Sequence, residues 1–193
     1  MHIQTQDSSF CQALQSASRI VSEVFPISDR LSSFYNRTNT KTFKKDKGQF
    51  FTPAPAAKYM ASFADTSKKE ISILDPGAGI GVLSAALIEK LAKQRVVKKI
   101  KLVCYEVDQQ ALPYLKKLLD ETKKELGENI SFEYLILKDD FLLSNVNILT
   151  TNLNKFQEQF DIIISNPPYF KLTKKNFPTT KFKEIISGQP NIY

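Results

Sequence analysis

The sequence predicts an α/β fold, a parallel sheet flanked by helices, on three observations. From residue 71 onward, short apolar runs alternate with helical patterns. A glycine-rich turn follows the first run, at Gly77, Gly79 and Gly81. The residues with chemical character stand just after the runs, and open α/β sheets bind ligands beyond the carboxyl ends of their strands.

The elements follow in order. Residues 8–25 fit a helix, with Ser8 or Ser9 as cap, Phe10, Leu14, Ala17, Val21 and Phe25 at helical spacing, and Pro26 as terminator. Residues 37–47 are polar and basic (Arg37, Lys41, Lys44, Lys45, Lys47) and read as a linker or arm. Thr52 is placed to cap a second helix that has Pro53 at its first position and runs to about Ala64. Ile71 to Leu74 is a strand, Val82 to Leu91 a helix, and Ile100 to Tyr105 a second strand. Asp108 is placed to cap a long helix ending near Gly127, with Pro113 in its first turns. Phe132 to Leu137 and Phe160 to Ile164 are the third and fourth strands, separated by a polar, weakly patterned segment. Strands joined through helices imply parallel pairing with helices on both faces.

A chain of 193 residues suits one sizeable core. With 42% apolar and 24% charged residues, the composition is that of an ordinary soluble protein. A formal net charge of +7 favours a polyanionic partner such as nucleic acid, or else a solvated basic surface. Two cysteines, Cys11 and Cys104, and one histidine, His2, form no ligand cluster, so no metal site is expected. The polar N-terminus carries no signal pattern, and no apolar run approaches the roughly 20 residues that span a bilayer. A cytoplasmic protein without a membrane segment is the expectation.

The first strand runs into Asp75-Pro76-Gly77-Ala78-Gly79-Ile80-Gly81. Glycines allow a tight turn and a close backbone approach to a ligand. The spacing is GxGxG, which departs from the dinucleotide fingerprint, and an opening carboxylate opposes a pyrophosphate. It suits a ligand that carries an ammonium group. Glu106, at the end of the second strand, is placed to accept two hydrogen bonds from ribose hydroxyls. After the third strand, Asp140 could accept from an adenine amino group and Phe141 could pack on its ring. Asp139 and Asp140 also read as a turn with a helix cap.

The fourth strand ends in Asn166-Pro167-Pro168-Tyr169. Two prolines stiffen the loop, and Pro167 holds Asn166 extended. The Asn166 side-chain oxygen and the Pro167 carbonyl could then accept both hydrogens of one planar amine. Such an amine is a poor nucleophile because its lone pair is delocalised. Two acceptors favour a pyramidal nitrogen and stabilise the charge that develops during methyl transfer. Tyr169 can stack on the ring, adding a cation–π contribution of about 0.5–2 kcal/mol as that charge appears.

Together these motifs resemble the amino-group DNA methyltransferases, especially the TaqI-like γ branch of N6-adenine enzymes in restriction-modification systems. The resemblance covers roughly residues 46 to 193. It implies a Rossmann-like class I S-adenosylmethionine-dependent methyltransferase fold. It implies S-adenosylmethionine as cofactor, with Thr52 in the upstream motif Gly48 to Pro53, and with Asp75, Gly77, Gly79, Glu106, Asp140 and Phe141 as contacts. It implies Asn166, Pro167 and Tyr169 as catalytic residues acting on a flipped adenine in DNA. Gly188 to Tyr193 looks like the start of a further motif. Family members continue with more strands and a target-recognition region, so the expectation is an N-terminal fragment. It divides into a helical extension and basic linker at 1–45 and an incomplete catalytic domain at 46–193. A companion restriction subunit is a further partner that the resemblance implies. Methyltransferases acting on a protein glutamine amide or an rRNA guanine amine share the tetrapeptide, and Gly48 to Pro53 favours DNA. Modification subunits of multisubunit restriction systems carry a similar upstream motif after a longer helical N-terminal domain. A non-catalytic cofactor-binding remnant is the third reading.

Overall fold

The computed structural model describes residues 52–145 and 159–167. The expected helix at 8–25, the basic segment at 37–47, residues Gly48 to Phe51, Pro168, Tyr169 and Gly188 to Tyr193 lie outside the described residues. The described elements are α1 (Ala54–Ser62), β1 (Glu70–Asp75), α2 (Val82–Lys93), β2 (Lys99–Tyr105), α3 (Leu112–Leu126), β3 (Ser131–Leu137) and β4 (Ile162–Ile163).

The four strands lie in the order β3-β2-β1-β4, and every pairing is parallel. This is the Rossmann-like order, in which the chain steps outward from β1 to β3 and then crosses to the other side of β1. Open α/β sheets bind ligands where the order reverses, which is here at the carboxyl ends of β1 and β4. Ile73 sits between Leu102 of β2 and Ile162 of β4, so the register centres the apolar residues of the sheet.

Alternation along the strands decides which face is covered. Ile100, Leu102 and Cys104 of β2 are fully buried, whereas Lys101 between them is exposed. The buried face forms one core with Ala57 and Ala61 of α1, Leu87 and Leu91 of α2, and Leu115 and Leu119 of α3. Helices were expected on both faces; among the described residues they form that core with one. Leu135 on β3 is 52% exposed, as a strand residue pointing away from that core should be.

The helices differ in character for the same reason. α3 is amphipathic, burying Leu115, Leu118, Leu119, Thr122 and Leu126 at intervals of three and four while its lysines face solvent. Gly127, at a φ of 53°, ends it. α2 is buried nearly all round, because α1 packs on it in addition to the sheet. Ala57 and Ala61, one turn apart on α1, are small enough for that close approach.

Three boundaries differ from expectation. Thr52 does not cap α1: Pro53 holds the cap position, no side chain bonds the free amides, and the Ala57 amide reaches the Pro53 carbonyl at 2.9 Å. The Thr52 hydroxyl is engaged elsewhere, as described below. Asp108 opens a turn ahead of α3, which begins after Ala111; its side chain accepts from the Gln110 amide and its carbonyl from the Ala111 and Leu112 amides. The fourth strand contributes only Ile162 and Ile163 to the ladder. Asp161 and Ile164 extend it by backbone bonds to Ser72 and Leu74.

Candidate functional site

The site grows from the end of β1. Asp75 is fully buried under the glycine turn. Its Oδ2 accepts a 2.6 Å bond from the hydroxyl of Ser84, itself fully buried in the first turn of α2, and its Oδ1 faces the Gly77 amide at 3.4 Å. Burial raises the Asp75 pKa to about 6, and the bonds from Ser84 and Gly77 hold it back from rising further. The neighbouring thiol of Cys104, paired with Asp75 across β1 and β2, is pushed well up by burial.

The turn has a left-handed backbone where glycine permits it. Gly79 has a φ of 57° and Gly81 a φ of 88°. A side chain at Gly81 would meet Leu118 at 2.8 Å and Leu115 at 2.9 Å, so α3 closes that side. A side chain at Gly77 would meet nothing within 4 Å, so the turn is open there. The turn is tied to β2 by the Ala78 amide, which donates to the Tyr105 carbonyl at 3.0 Å.

Glu106 follows directly. Its two oxygens accept the amides of Gly79 and Asp108, each at 2.6 Å. Burial raises its pKa, and the Asp108 and Gly79 amides oppose the shift. The Glu106 amide donates to the Leu137 carbonyl, so the ends of β2 and β3 are joined behind it. Asp75, Gly77, Gly79 and Glu106 therefore lie on two adjoining strand ends.

Asp140 caps a helical turn at residues 141–145, its Oδ1 accepting the Leu143 amide at 2.9 Å. The expected cap is therefore present. Phe141 packs edge-on against Tyr105 with centroids 5.1 Å apart. The Asn145 side chain ties the turn by donating to the Phe141 carbonyl at 2.7 Å.

Asn166 and Pro167 leave the carboxyl end of β4, beside β1. The Asn166 amide Nδ2 donates to the Thr52 hydroxyl at 2.9 Å, and both residues are half-buried. β4 is fastened to β1 below this point by Asp161, whose carboxylate accepts the Ser72 amide at 2.7 Å and the Ser72 hydroxyl at 2.9 Å, and binds Lys68. Sequence reasoning missed Ser84 and Asp161. The signal for Ser84 was a lone hydroxyl within the apolar run Val82 to Ile88, which in a buried helix must find a partner. Among the described residues no three of His, Cys, Asp and Glu form a metal-binding group, and no helix is long and apolar enough to cross a membrane.

Comparisons with known proteins bear on this geometry. The profile of the N-6 DNA Methylase family matches residues 28–191. The chain is 27% identical over 166 residues to the type II methyltransferase M.PstI of Providencia stuartii, covering 86% of this chain and 32% of that protein. It is 33% identical over 137 residues to M.BsuBI of Bacillus subtilis, covering 67% of this chain and 26% of that one. A ribosomal RNA small subunit methyltransferase A of Bacillus cytotoxicus is 31% identical over 154 residues, covering 76% and 44%. A solved structure from Listeria monocytogenes, described as a class I S-adenosylmethionine-dependent methyltransferase, aligns at a TM-score of 0.49 and 18% identity over 75% of this chain and 40% of that one. The chain thus spans about a third or less of the type II relatives named here. The family profile covers most of the sequence, from ahead of α1 to beyond the Asn166 loop, and the chain belongs to the N-6 DNA Methylase family.

Proposed function

We propose that this chain carries the cofactor site and reaction centre of a methyltransferase acting on the exocyclic amine of adenine in DNA, within a restriction-modification system. The observation that carries the reading is the position of Asn166 and Pro167. They stand at the carboxyl end of β4, next to the strand that feeds the glycine turn.

The residues present suit S-adenosylmethionine. Two carboxylates, Asp75 and Glu106, end adjoining strands, and the turn between them is open at Gly77. A ligand with ribose hydroxyls suits Glu106 beside the open turn, and an ammonium group there would lie above the buried Asp75 carboxylate. When bound, this cofactor supplies an electrophilic methyl group. Gly77 and Gly79 allow the backbone to approach it, Glu106 accepts from its hydroxyls, and Asp140 and Phe141 flank the base. Thr52 is the further cofactor contact that the family resemblance implies.

Asn166 and Pro167 do the work on the acceptor. The side-chain oxygen of one and the carbonyl of the other accept the two amine hydrogens and stabilise the positive charge as it forms. Tyr169 stacks on the ring. In duplex DNA the adenine must first leave the stack, at a few kcal/mol. The basic segment at Arg37 to Lys47 offers phosphate contacts, and a target-recognition region and a restriction subunit are the partners this reading calls for.

The test is calorimetric titration of S-adenosylmethionine into the chain and into Gly79→Val, followed by methyl transfer to adenine-containing duplex DNA by the wild type and Asn166→Ala. Cofactor binding that is lost in Gly79→Val, and transfer that is lost in Asn166→Ala with binding kept, support the reading. Transfer retained in Asn166→Ala defeats it. The ribosomal RNA relative supports a second reading, an RNA amine as acceptor; transfer to small-subunit ribosomal RNA and not to DNA would favour it.

A further inference from the structure

The bond between Thr52 and Asn166 ties two motifs 114 residues apart. Each end is fixed by a different part of the fold. Thr52 precedes Pro53, which restricts it to an extended backbone, and α1 beyond it is anchored in the core by Ala57 and Ala61. Asn166 leaves a strand that is paired with β1 and clasped by Asp161.

We infer that Thr52 is a positioning residue for Asn166, setting which end of its side-chain amide faces the acceptor amine. The inference rests on the reading of Asn166 given above. A planar amide has a donor end and an acceptor end, and turning it over exchanges them. With Nδ2 donating to the Thr52 hydroxyl, Oδ1 is the end left free to face the amine. Were the amide reversed, an NH2 group would meet the NH2 group of the substrate, donor against donor. Thr52 acts on the reaction through Asn166, beyond any contact it makes with the cofactor.

The conservative pair Thr52→Val and Thr52→Ser tests this. Valine keeps the shape and removes the acceptor; serine keeps it. In single-turnover methyl transfer at saturating S-adenosylmethionine, Thr52→Val should be slower by roughly tenfold, the effect of losing one orienting hydrogen bond. Because the rates are compared at saturating cofactor, any change in cofactor affinity drops out of the comparison, and Thr52→Ser should recover most of the rate. A Thr52→Val rate equal to wild type, in a protein that Asn166→Ala inactivates, overturns the inference and leaves the proposed function standing. Transfer retained in Asn166→Ala defeats the proposed function instead.

A readout without turnover uses the Asn166 side-chain amide signals in a nitrogen–proton correlation spectrum, identified by their loss in Asn166→Asp. In the wild type, one of the two protons should exchange slowly with solvent. It should exchange faster and shift in Thr52→Val, and remain slow in Thr52→Ser. Two fast-exchanging protons in the wild type, a result that needs no variant to fold, overturn the inference.

Discussion

Ser84 and Asp75 form a hydrogen-bonded pair of 2.6 Å in which neither side chain reaches solvent. The hydroxyl is there to serve a carboxylate that the fold buries beneath the glycine turn. Ser84→Ala leaves that carboxylate short of a donor, so a destabilisation of about 1–3 kcal/mol is expected. The loss should be larger at pH 7, where Asp75 is charged, than at pH 5, where it is mostly protonated. Urea unfolding at the two pH values measures the difference, and an equal loss at both would show that the hydroxyl matters only for packing.

The same carboxylate makes stability fall as pH rises. Its pKa goes from 3.8 to about 6 on folding, so the folded state binds the proton more tightly. This contribution is fully present below pH 3.8 and is lost as the pH passes 6. The difference of about two units corresponds to about 3 kcal/mol. Asp75→Asn removes the titration, so the gap between variant and wild type should change by that order between pH 4 and 7. Parallel stability profiles for the two proteins would contradict it.

Gly77 and Gly81 should respond differently to the same change. Gly81→Ala forces a side chain into a φ of 88° and against Leu115 and Leu118, and a loss of about 1–3 kcal/mol is expected. Gly77→Ala meets open space and should stay within about 0.5 kcal/mol of wild type. If the open side of the turn is where S-adenosylmethionine lies, Gly77→Ala should nonetheless weaken its binding. Thermal unfolding paired with calorimetry separates the two effects.

Asp161 is the clasp of β4. Lys68 and the two Ser72 donors lower its pKa to about 2, so its contribution is present above pH 3.8 and is lost as the pH falls through 2. Its partner Lys68 is 65% exposed and solvent screens the pair, so Asp161→Ala should lose only about 0.5–1.5 kcal/mol at neutral pH. That gap should narrow as the pH drops from 4 towards 2. Because β4 carries Asn166, the variant should also increase the solvent exchange of the Asn166 side-chain amide.

What the sequence revealed and what it hid have physical reasons. The order of strands and helices was legible because apolar runs and helical spacing alternate cleanly between Ile71 and Leu137. The glycine turn was legible because a left-handed backbone at Gly79 and Gly81 leaves few other residues possible. Thr52 was misread as a cap because a threonine before a proline fits both a helix start and an extended approach to one. Only the partner across 114 residues decides between them, and no local pattern announces it. Ser84 was hidden because its hydroxyl lies in an apolar run whose burial the sequence does show. The fourth strand looked longer than it is because apolar character extends past the two residues that join the ladder.

The distance along the chain between β1 and its outer neighbour has a consequence in time. The ladder from β1 through β3 closes between elements some thirty residues apart, whereas Ser72 meets Asp161 across 89 residues. Long loops close late because their closure entropy must be met before any contact forms. A chain emerging from the ribosome would complete β1, β2 and β3 with their helices before Asp161 is available. The glycine turn would then exist before the loop that carries Asn166, so on the proposed function a nascent chain would gain its cofactor cradle before it could hold an acceptor amine.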